Sequence, residues 1–401
     1  MTWRSGRILA GAVALAFAAA GCATAPVYPV VHGHGPPPLQ VLTHLQGSAG
    51  SGDDIFLAPA GGGYPAGPEI VSTTGRVIWF HPLPVGEGAA DFRTQAYRGE
   101  PVLTWCQIDG GGRTSPLQPV TDYIYSDRYR QIATVQAGDG YTTSWHEFVI
   151  TPWNTALIVA NKIVTANLRA MGGPADQKVI DGVVQEIDIA TGKVLFQWSS
   201  AGHVPYRDSH QPLPPSASIP WDWFHINAVH LDTDGNLLVS ARFTWTIYKV
   251  NRRTGAIIWE LGGKQSTFRL RAAPGQTLDE AGEIFAFQHD PEAIGHDEYT
   301  VFDDESAPQL GQRLPYSRVV TVRLNLAAKV ATLVSSADQP EHLLAGAMGN
   351  AQTVSSGNML VGWGTLPYIS EFGPSGRLLF NAELPPGVST YRAYLLPWHP
   401  A

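Results

Sequence analysis

The chain has 401 residues, of which 44% are hydrophobic and 15% charged, and its formal net charge is -8. This length is sufficient for one to three domains with a large buried core. The negative charge argues against general nucleic-acid binding and against a polybasic membrane-binding surface.

The first residues have the pattern of an export signal. Arg4 and Arg7 form a basic start, and the apolar run of residues 8–20 is too short to span a bilayer. A small-residue cleavage site then leads directly to Cys22, as in lipoproteins. We therefore expect a signal peptide at residues 1–21, lipidation of Cys22, and an extracytoplasmic protein anchored to a membrane. Secretion after cleavage behind Ala20 is the alternative.

The next segment predicts a flexible tether. Residues 22–50 include three consecutive prolines and two histidines that alternate with glycines, so we place the folded domain at residues 51–401. The second of the two cysteines, Cys106, lies in an apolar run. A buried, unreactive thiol is the simplest interpretation of Cys106, and a disulfide with Cys22 is the alternative.

One repeat recurs along the rest of the chain. Each copy has a head residue, a strand, a Gly/Asp/Asn turn, a second strand and a closing hairpin of the Thr-Gly-Lys-Val-Leu-Phe type. The clearest copy spans residues 225–259. With 42 glycines, 31 prolines and no long apolar helix after the N-terminus, four short strands per copy predict the blade of a β-propeller.

Six closing hairpins and six heads can be counted. The first hairpin, at residues 74–79, has no head before it, and the last head, Arg392, has no hairpin after it. Closure of a ring explains both. We predict an all-β, six-bladed β-propeller whose C-terminal strand completes the blade that begins near residues 53–80. The longest inserted loop, residues 199–221, is interpreted either as a lid or as a surface loop.

The heads predict a binding site at one rim of the ring. Because the two inner strands of a blade are antiparallel, the end of the second strand returns to the level of the head. This places Arg242 beside His225, Lys162 near His146, and Asp303 and Asp304 near His289. Cations and histidines on one rim of an acidic protein favour a small anionic ligand such as sulfate, phosphate or carboxylate. The six heads are Arg93, His146, His225, His289, Asn350 and Arg392.

From about residue 145 onward the chain resembles the arylsulfotransferase (ASST) family, in its broader arylsulfotransferase-like branch. The matching stretches are Phe-His-Ile-Asn-Ala-Val at residues 224–229 with Gly-Asn-Leu-Leu-Val-Ser-Ala-Arg at 235–242, Phe-Gln-His-Asp at 287–290 with Thr-Val-Phe-Asp at 300–303, Tyr-Ser-Arg at 316–318, and Met-Gly-Asn-Ala-Gln at 348–352 with Val-Gly-Trp-Gly at 361–364.

The resemblance implies a six-bladed propeller that transfers a sulfuryl group from a phenolic sulfate ester to a phenol. In that family the transfer passes through a sulfated histidine and uses no nucleotide sulfate donor. His225 and His289 match two active-site histidines, which would bind sulfate oxygens or act as acid and base.

The family's arginine is missing after Phe302, so Arg242 or Arg318 would replace it. Asn350 is the head that follows His289, where the nucleophilic histidine is expected, and His146 would take that role only in a rearranged mechanism.

Three functional hypotheses follow from these residues. The first is an arylsulfotransferase-like enzyme, and the second is a metal-dependent lyase or hydrolase with His146, His225 and His289 as ligands. The third is a non-catalytic lipoprotein scaffold or anion-binding propeller. Under the first we predict no metal and no cofactor, and the oligomeric state stays open. The predicted catalytic residues are His146, His225 and His289, and the predicted substrate contacts are Arg93, Asn227, Arg242, Arg318, Asn350 and Arg392.

Overall fold

A computed structural model describes residues 35–48, 52–110, 115, 117–307 and 310–400, and this part of the chain is almost entirely β-structure. The first half contains β1 (Gln40–His44), β2 (Asp53–Gly61), β3 (Glu69–Ser72), β4 (Val77–Phe80), β5 (Gly88–Tyr97), β6 (Glu100–Ile108), β7 (Val120–Ser126), β8 (Gln131–Val135), β9 (Thr142–Ile150), β10 (Thr155–Ala166), β11 (Gln177–Asp188) and β12 (Val194–Ser199). A short helix, α1 (Ser200–His203), and two 3₁₀ turns, Arg169–Met171 and Tyr206–Asp208, complete it.

The second half contains only strands in the described ranges. They are β13 (Ile226–Leu231), β14 (Leu237–Ala241), β15 (Thr246–Val250), β16 (Ile257–Leu261), β17 (Arg269–Ala272), β18 (His289–Gly295), β19 (Glu298–Asp303), β20 (Ser306–Ala307), β21 (Gly311–Gln312), β22 (Arg318–Asn325), β23 (Val330–Asp338), β24 (Asn350–Thr353), β25 (Met359–Gly362), β26 (Tyr368–Phe372), β27 (Leu378–Glu383) and β28 (Val388–Pro397).

Six sheets form the blades of a propeller. From the innermost strand outward, blade one is β28-β2-β3-β4, blade two β5-β6-β7-β8, blade three β9-β10-β11-β12 and blade four β13-β14-β15-β16. Blade five is β18-β19-β22-β23 with β17 added in parallel, and blade six is β24-β25-β26-β27 with β1 added outside. The innermost strands contact one another in succession around the ring. The predicted all-β, six-bladed propeller is confirmed.

The C-terminal strand closes the ring as predicted. β28 pairs antiparallel with β2, from Asp53 opposite Pro397 to Gly61 opposite Val388. Blade one therefore takes its innermost strand from the end of the chain and its other three from the beginning. Closure in this way leaves no unpaired edge between the first and last blades.

A strand forms where a tether was expected. Gln40–His44 pair antiparallel with β27, with Gln40 opposite Glu383 and His44 opposite Phe380. The tether prediction for residues 22–50 is therefore corrected at residues 40–44, where main-chain pairing at the outer edge of blade six holds the chain. The predicted signal peptide and Cys22 lie outside the described residues. Within the described ranges, no helix has the length and apolar character needed to cross a membrane.

Apolar layers between the blades form the core. Each junction between neighbouring blades has its own cluster of buried side chains. Trp198 packs between blades three and four, and Trp259 packs between blades four and five. Cys106 is buried between blades two and three, and burial raises the pKa of its thiol. Closing hairpins thus stack the blades, while the heads lie on or directly before the inner strands.

Candidate functional site

The side chains of the inner strands form two groups along the axis. One group, here called the histidine cluster, contains His146, His225, His289 and Arg242. The residue after two of these histidines, Glu147 or Asp290, belongs to a second group, here called the axial ion network. Its members are Asp91, Arg93, Glu147, His230, Asp290 and Arg392.

β-bulges bring both groups to the axis. The pairing of β9 with β10 jumps from Phe148 opposite Ile158 to Thr143 opposite Ala160, so residues 144–147 lie in an irregular segment. Blades two, four and five have similar irregularities at the heads of their inner strands. Asp91, His225 and Asp290 have φ angles of 52°, 60° and 49°. A bulge bends the strand and redirects its side chains, so adjacent residues can both face the axis.

Two of the predicted histidines contact each other. The rings of His146 and His225 are edge to face with centroids 4.9 Å apart. The ring of His146 also stacks on that of Trp145 at 3.9 Å, and its Nδ1 lies 2.6 Å from the hydroxyl of Ser144. His146 is therefore a buried residue of fixed orientation beside His225.

His225 is the accessible member of the cluster. Its Nδ1 lies 2.5 Å from Oδ2 of Asp222, and the two side chains are 18% and 21% exposed. No protein partner contacts its Nε2 in the described part of the chain. In the tautomer whose Nδ1–H donates to this carboxylate, the ring lone pair lies on Nε2.

His289 is enclosed on both sides. Its Nδ1 lies 2.7 Å from Oδ2 of Asp304, and its Nε2 accepts the backbone N–H of Met348 at 3.3 Å. Burial, reinforced by Arg242, lowers the pKa of His289 well below its usual range, and burial raises the pKa of Asp304 well above its own. Both shifts favour the uncharged forms. The predicted proximity of His289 and Asp304 is confirmed.

Arg242 is a buried cation without a paired carboxylate. Its Nη2 donates to the carbonyl oxygens of Gly346 at 2.7 Å and Ser306 at 3.4 Å, while its Nε has no partner among the described residues. The guanidinium carbon lies 5.3 Å from the ring of Phe243 and 5.6 Å from that of Phe287. Burial lowers the pKa of this guanidinium, and more distant carboxylates offset only part of the effect. Such an environment favours an incoming anion.

The position of Arg242 relative to His225 is as predicted. Its backbone N–H donates to the carbonyl oxygen of His225 at 3.0 Å, at the end of the β13–β14 pair. Lys162, in contrast, is not near His146. The bulge in β9 shifts the register, and Lys162 lies instead over the ring of Tyr141 at 5.0 Å. The antiparallel rule holds for blade four and fails for blade three because of this bulge.

Arg392 and Arg93 do not join the histidine cluster. Nη1 of Arg392 lies 2.9 Å from Oε1 of Glu147 and 3.1 Å from Oδ1 of Asp91, and its Nη2 lies 3.3 Å from Oδ1 of Asp290. Nη2 of Arg93 lies 2.6 Å from Glu147 and 3.1 Å from Asp91. Carboxylates of the protein already neutralise these arginines, and their predicted contact with substrate stays a prediction.

Three further predicted contacts have structural partners. Arg318 pairs with Asp303 at 2.9 Å and donates to two backbone carbonyls within blade five. The amide of Asn350 makes two hydrogen bonds with the backbone of Ala393, joining blade six to blade one. Asn227 donates to the carbonyl oxygen of Gln288 at 2.7 Å. These contacts hold blades and loops together, and the predicted role of the three residues in substrate binding stays a prediction.

Two residues that border the histidine cluster were missed from the sequence. Asp222 precedes His225 by three residues at the end of the long loop, and only a carboxylate near a head residue signalled it. Tyr391 is fully buried, and its ring lies 5.9 Å from that of His146 and 6.5 Å from that of His289. Its hydroxyl donates to the carbonyl oxygen of Asn227 at 3.0 Å. No sequence pattern singled it out.

The long loop at residues 199–221 packs beside Arg242. The backbone N–H of His210 donates to the carbonyl oxygen of Phe243 at 2.7 Å, and its ring stacks on that of Trp245 at 3.5 Å. Burial, with nearby Lys264 and Arg313, lowers the pKa of His210 to about 4. The loop thus covers the aromatic side of the cluster and leads directly into Asp222.

The geometry does not favour the metal hypothesis for the three head histidines. In the described ranges, the group with ligand atoms close enough to share an ion, within 4.8 Å, is Glu147, His230 and Asp290. Arg392 already contacts both carboxylates of that group. Two open grooves of about 810 and 800 Å³ lie outside, between blades two and three and between blades three and four, and no predicted site residue lines them.

Fold and site together define a closed six-bladed propeller with an axial cluster of histidines and one unpaired arginine. The sequence pattern of the arylsulfotransferase (ASST) family matches residues 93–384. The chain belongs to this family. No curated protein matches the chain.

Solved structures with a similar fold are distant in sequence. A protein of unknown function from Bacteroides caccae has 12% identity and a TM-score of 0.50, covering 86% of this chain and 99% of its own. The Dos1 propeller has 8% identity and a TM-score of 0.39, covering 82% and 66%. A virginiamycin B lyase from Staphylococcus aureus has 10% identity and a TM-score of 0.38, covering 85% and 86%. At such identities the first likeness concerns the fold alone.

The axial ion network predicts a pH dependence of stability. Burial alone would lower the pKa of His230, but Glu147 and Asp290 outweigh it and raise this pKa to about 8. Because the folded-state value lies above the ordinary 6.5, protonated His230 stabilises the fold fully below that pH, and the contribution is lost as the pH rises through 8. The shift corresponds to about 2 kcal/mol.

We therefore expect the difference in unfolding free energy between wild type and His230→Gln to shrink by about 2 kcal/mol from roughly pH 6 to pH 9. Urea unfolding at several pH values measures it. Glutamine keeps a hydrogen-bond donor and cannot titrate, so the comparison isolates the proton on His230. A difference that does not change with pH would contradict this account of the network.

Proposed function

We propose that this protein binds an aryl sulfate at the histidine cluster and transfers its sulfuryl group to a phenol. Membership of the family supports the reaction class. The observation that carries the proposal for this site is Arg242, a buried guanidinium without a paired carboxylate, flanked by Phe243 and Phe287. A sulfate ester carries one negative charge on a compact group of oxygens, which such a cation binds well.

The accessible side chains suggest the orientation of the substrate. His225 and Asp222 are partly exposed, whereas Arg242 is buried. The sulfate end would therefore reach inward toward Arg242, and the aryl group would remain at the outer, partly exposed side of the cluster. Uncharged, enclosed His289 would help to shape the site rather than exchange protons with the substrate. A low-dielectric setting strengthens the attraction between Arg242 and the developing charge on the transferred group.

A non-catalytic, anion-binding propeller is the second candidate. Two observations favour it: both ring nitrogens of His289 have partners, and Asn350 is tied to the backbone of Ala393. In this alternative, Arg242 would bind an anion without transfer. Steady-state assays distinguish the two candidates. Only a sulfuryl transferase releases a phenol from its sulfate ester and forms an equal amount of sulfated acceptor.

Replacement of Arg242 tests the proposed site. We expect Arg242→Met to weaken binding of 4-nitrophenyl sulfate by about 10- to 100-fold, because charge-assisted hydrogen bonds contribute about 1.5–3 kcal/mol. Arg242→Lys should retain part of the affinity, since it keeps the charge and loses the planar geometry. Isothermal titration calorimetry measures the affinity, and transfer to phenol is assayed in parallel.

The matched control is Arg323→Met, because Arg323 is 59% exposed at a distance from the cluster and pairs with Glu298. The affinity of the Arg323→Met variant for 4-nitrophenyl sulfate should equal that of wild type. Unchanged binding in Arg242→Met, or equal losses in the two variants, would refute the placement of the anion at Arg242.

We also propose that the protein is exported and anchored through a lipid on Cys22. The basic start, the apolar run and the small residues before Cys22 support this proposal. In the described chain, β1 lies at the outer edge of blade six, so a tether to the anchor would leave from the side of the propeller. Mass analysis of the mature N-terminus should find a diacylglyceryl-modified Cys22, and membrane fractions should lose the protein on Cys22→Ala. An unmodified N-terminus at Gly21 would contradict lipidation.

A further inference from the structure

Two histidine–carboxylate pairs of the site differ in one respect. In the pair His225–Asp222, the carboxylate holds Nδ1 at 2.5 Å and no protein group in the described ranges occupies Nε2. In the pair His289–Asp304, the carboxylate holds Nδ1 at 2.7 Å and the backbone N–H of Met348 occupies Nε2. The first pair therefore presents a lone pair to the site, and the second does not.

Access separates the two pairs in the same way. The side chain of His225 is 18% exposed and that of Asp222 is 21% exposed, whereas His289 and Asp304 are exposed by 2% and 0%. A histidine that attacks a bound ester needs an unoccupied nitrogen, a proton fixed on the other nitrogen and a path for the ester. Only His225 meets all three conditions among the three head histidines, since the buried His146 ring is stacked on Trp145.

The neighbourhood of His225 suits an anionic ester. Its ring lies 5.1 Å from that of Phe243, the same ring that the guanidinium of Arg242 approaches at 5.3 Å. The backbone hydrogen bond from Arg242 to His225 fixes the relative position of the two residues. A sulfuryl group held by Arg242 on the side of Phe243 would therefore lie next to His225.

We infer that Nε2 of His225 is the nucleophile of the proposed transfer and that Asp222 is its positioning residue. The inference rests on the proposed sulfuryl transfer and adds the identity of the attacking atom. The inference places the nucleophile in blade four. At the head of blade six, where the family resemblance would place a nucleophilic histidine, this chain has Asn350, whose amide is hydrogen bonded to the backbone of Ala393.

The transfer balances as two displacements at sulfur. In the first, the Nε2 lone pair forms the N–S bond, the S–O bond to the aryl group breaks, and its electron pair leaves as the phenolate. The sulfated ring then carries a positive charge, which Asp222 stabilises through the Nδ1 proton. In the second, the oxygen of the acceptor phenol bonds to sulfur, the N–S bond breaks, and its electron pair returns to Nε2. The proton of the acceptor phenol is released to solvent and balances the proton taken up by the first phenolate.

The backbone of His225 allows a clean test. Its φ of 60° lies in the left-handed region, which glycine and asparagine adopt at little cost. His225→Gly and His225→Asn should therefore fold as wild type does, and near-ultraviolet circular dichroism with urea unfolding checks this. The exposed His203 on α1 provides the matched control, His203→Ala.

The experiment mixes full-length protein with 4-nitrophenyl sulfate without an acceptor, then quenches at alkaline pH. Wild type and His203→Ala should release one equivalent of 4-nitrophenol per site in a burst, and peptide mass mapping should find an SO₃ adduct on His225. Both His225 variants should lose the burst and at least about a thousandfold of the transfer rate. Added imidazole should restore 4-nitrophenol release in His225→Gly, which a purely structural role of His225 would not allow.

Asp222 is tested by variants that separate charge from shape. Asp222→Asn should lower kcat at least roughly tenfold with little change in KM, because the ring loses its fixed tautomer while Arg242 still binds the ester. Asp222→Glu should recover part of the rate, since it restores a carboxylate. Equal losses in both variants, or a loss confined to KM, would overturn the positioning role.

The outcomes separate this inference from the proposed function. Transfer that persists in the His225 variants, or an adduct on another residue, would overturn the inference and leave sulfuryl transfer standing. Binding of the ester by wild type without any release of 4-nitrophenol would refute transfer itself, and with it the inference, and would favour the anion-binding candidate.

Discussion

The guanidinium of Arg392 joins more of the molecule than any other group on its axis in the described chain. It sits on the C-terminal strand β28 and is fully buried. Its two terminal nitrogens contact Asp91 of blade two, Glu147 of blade three and Asp290 of blade five, and one of them donates to the carbonyl oxygen of Asn227 in blade four. Because carboxylates around a buried cation stabilise it, these contacts favour the observed register of β28 against β2. Closure of the propeller therefore also completes the ion network at its centre.

This network also determines where a ligand can bind. Three carboxylates, two arginines and His230 fill the axis, and the charges balance when His230 is protonated. Two members of the histidine cluster, His146 and His289, directly precede network residues on the inner strands, so the cluster borders groups whose charges are already compensated. The charge of Arg242 is not compensated in this way. This residue follows the second strand of blade four and has no paired carboxylate among the described residues. A single unpaired cation above a neutral floor is the basis of the proposed binding of an anion.

The sequence repeats were sufficient to predict the blades, the closure by the last strand, and the adjacency of Arg242 to His225. Strand alternation and antiparallel pairing are local rules, and they hold wherever the ladder is regular. The position of Lys162 was predicted wrongly because a bulge in β9 changes the register, and bulges leave no clear mark in the sequence. The carboxylate partners of Arg93, Arg318 and Arg392 were not predicted, for another reason. Whether an arginine meets a ligand or a carboxylate depends on residues from distant blades, and the periodicity of one blade carries no information about them.

The central claim is that Arg242 and His225 together form the sulfate-binding end of the site. The most direct measurement is an experimental structure of the protein soaked with 4-nitrophenyl sulfate. The account predicts the sulfate group within hydrogen-bonding distance of the Arg242 guanidinium and in contact with Nε2 of His225, with the axial ion network unchanged beneath it. Binding of the sulfate ester elsewhere would contradict it, for example in the outer grooves between blades two and three or between blades three and four, or on the opposite face. In that case the Arg242 guanidinium would still donate hydrogen bonds only to Gly346 and Ser306.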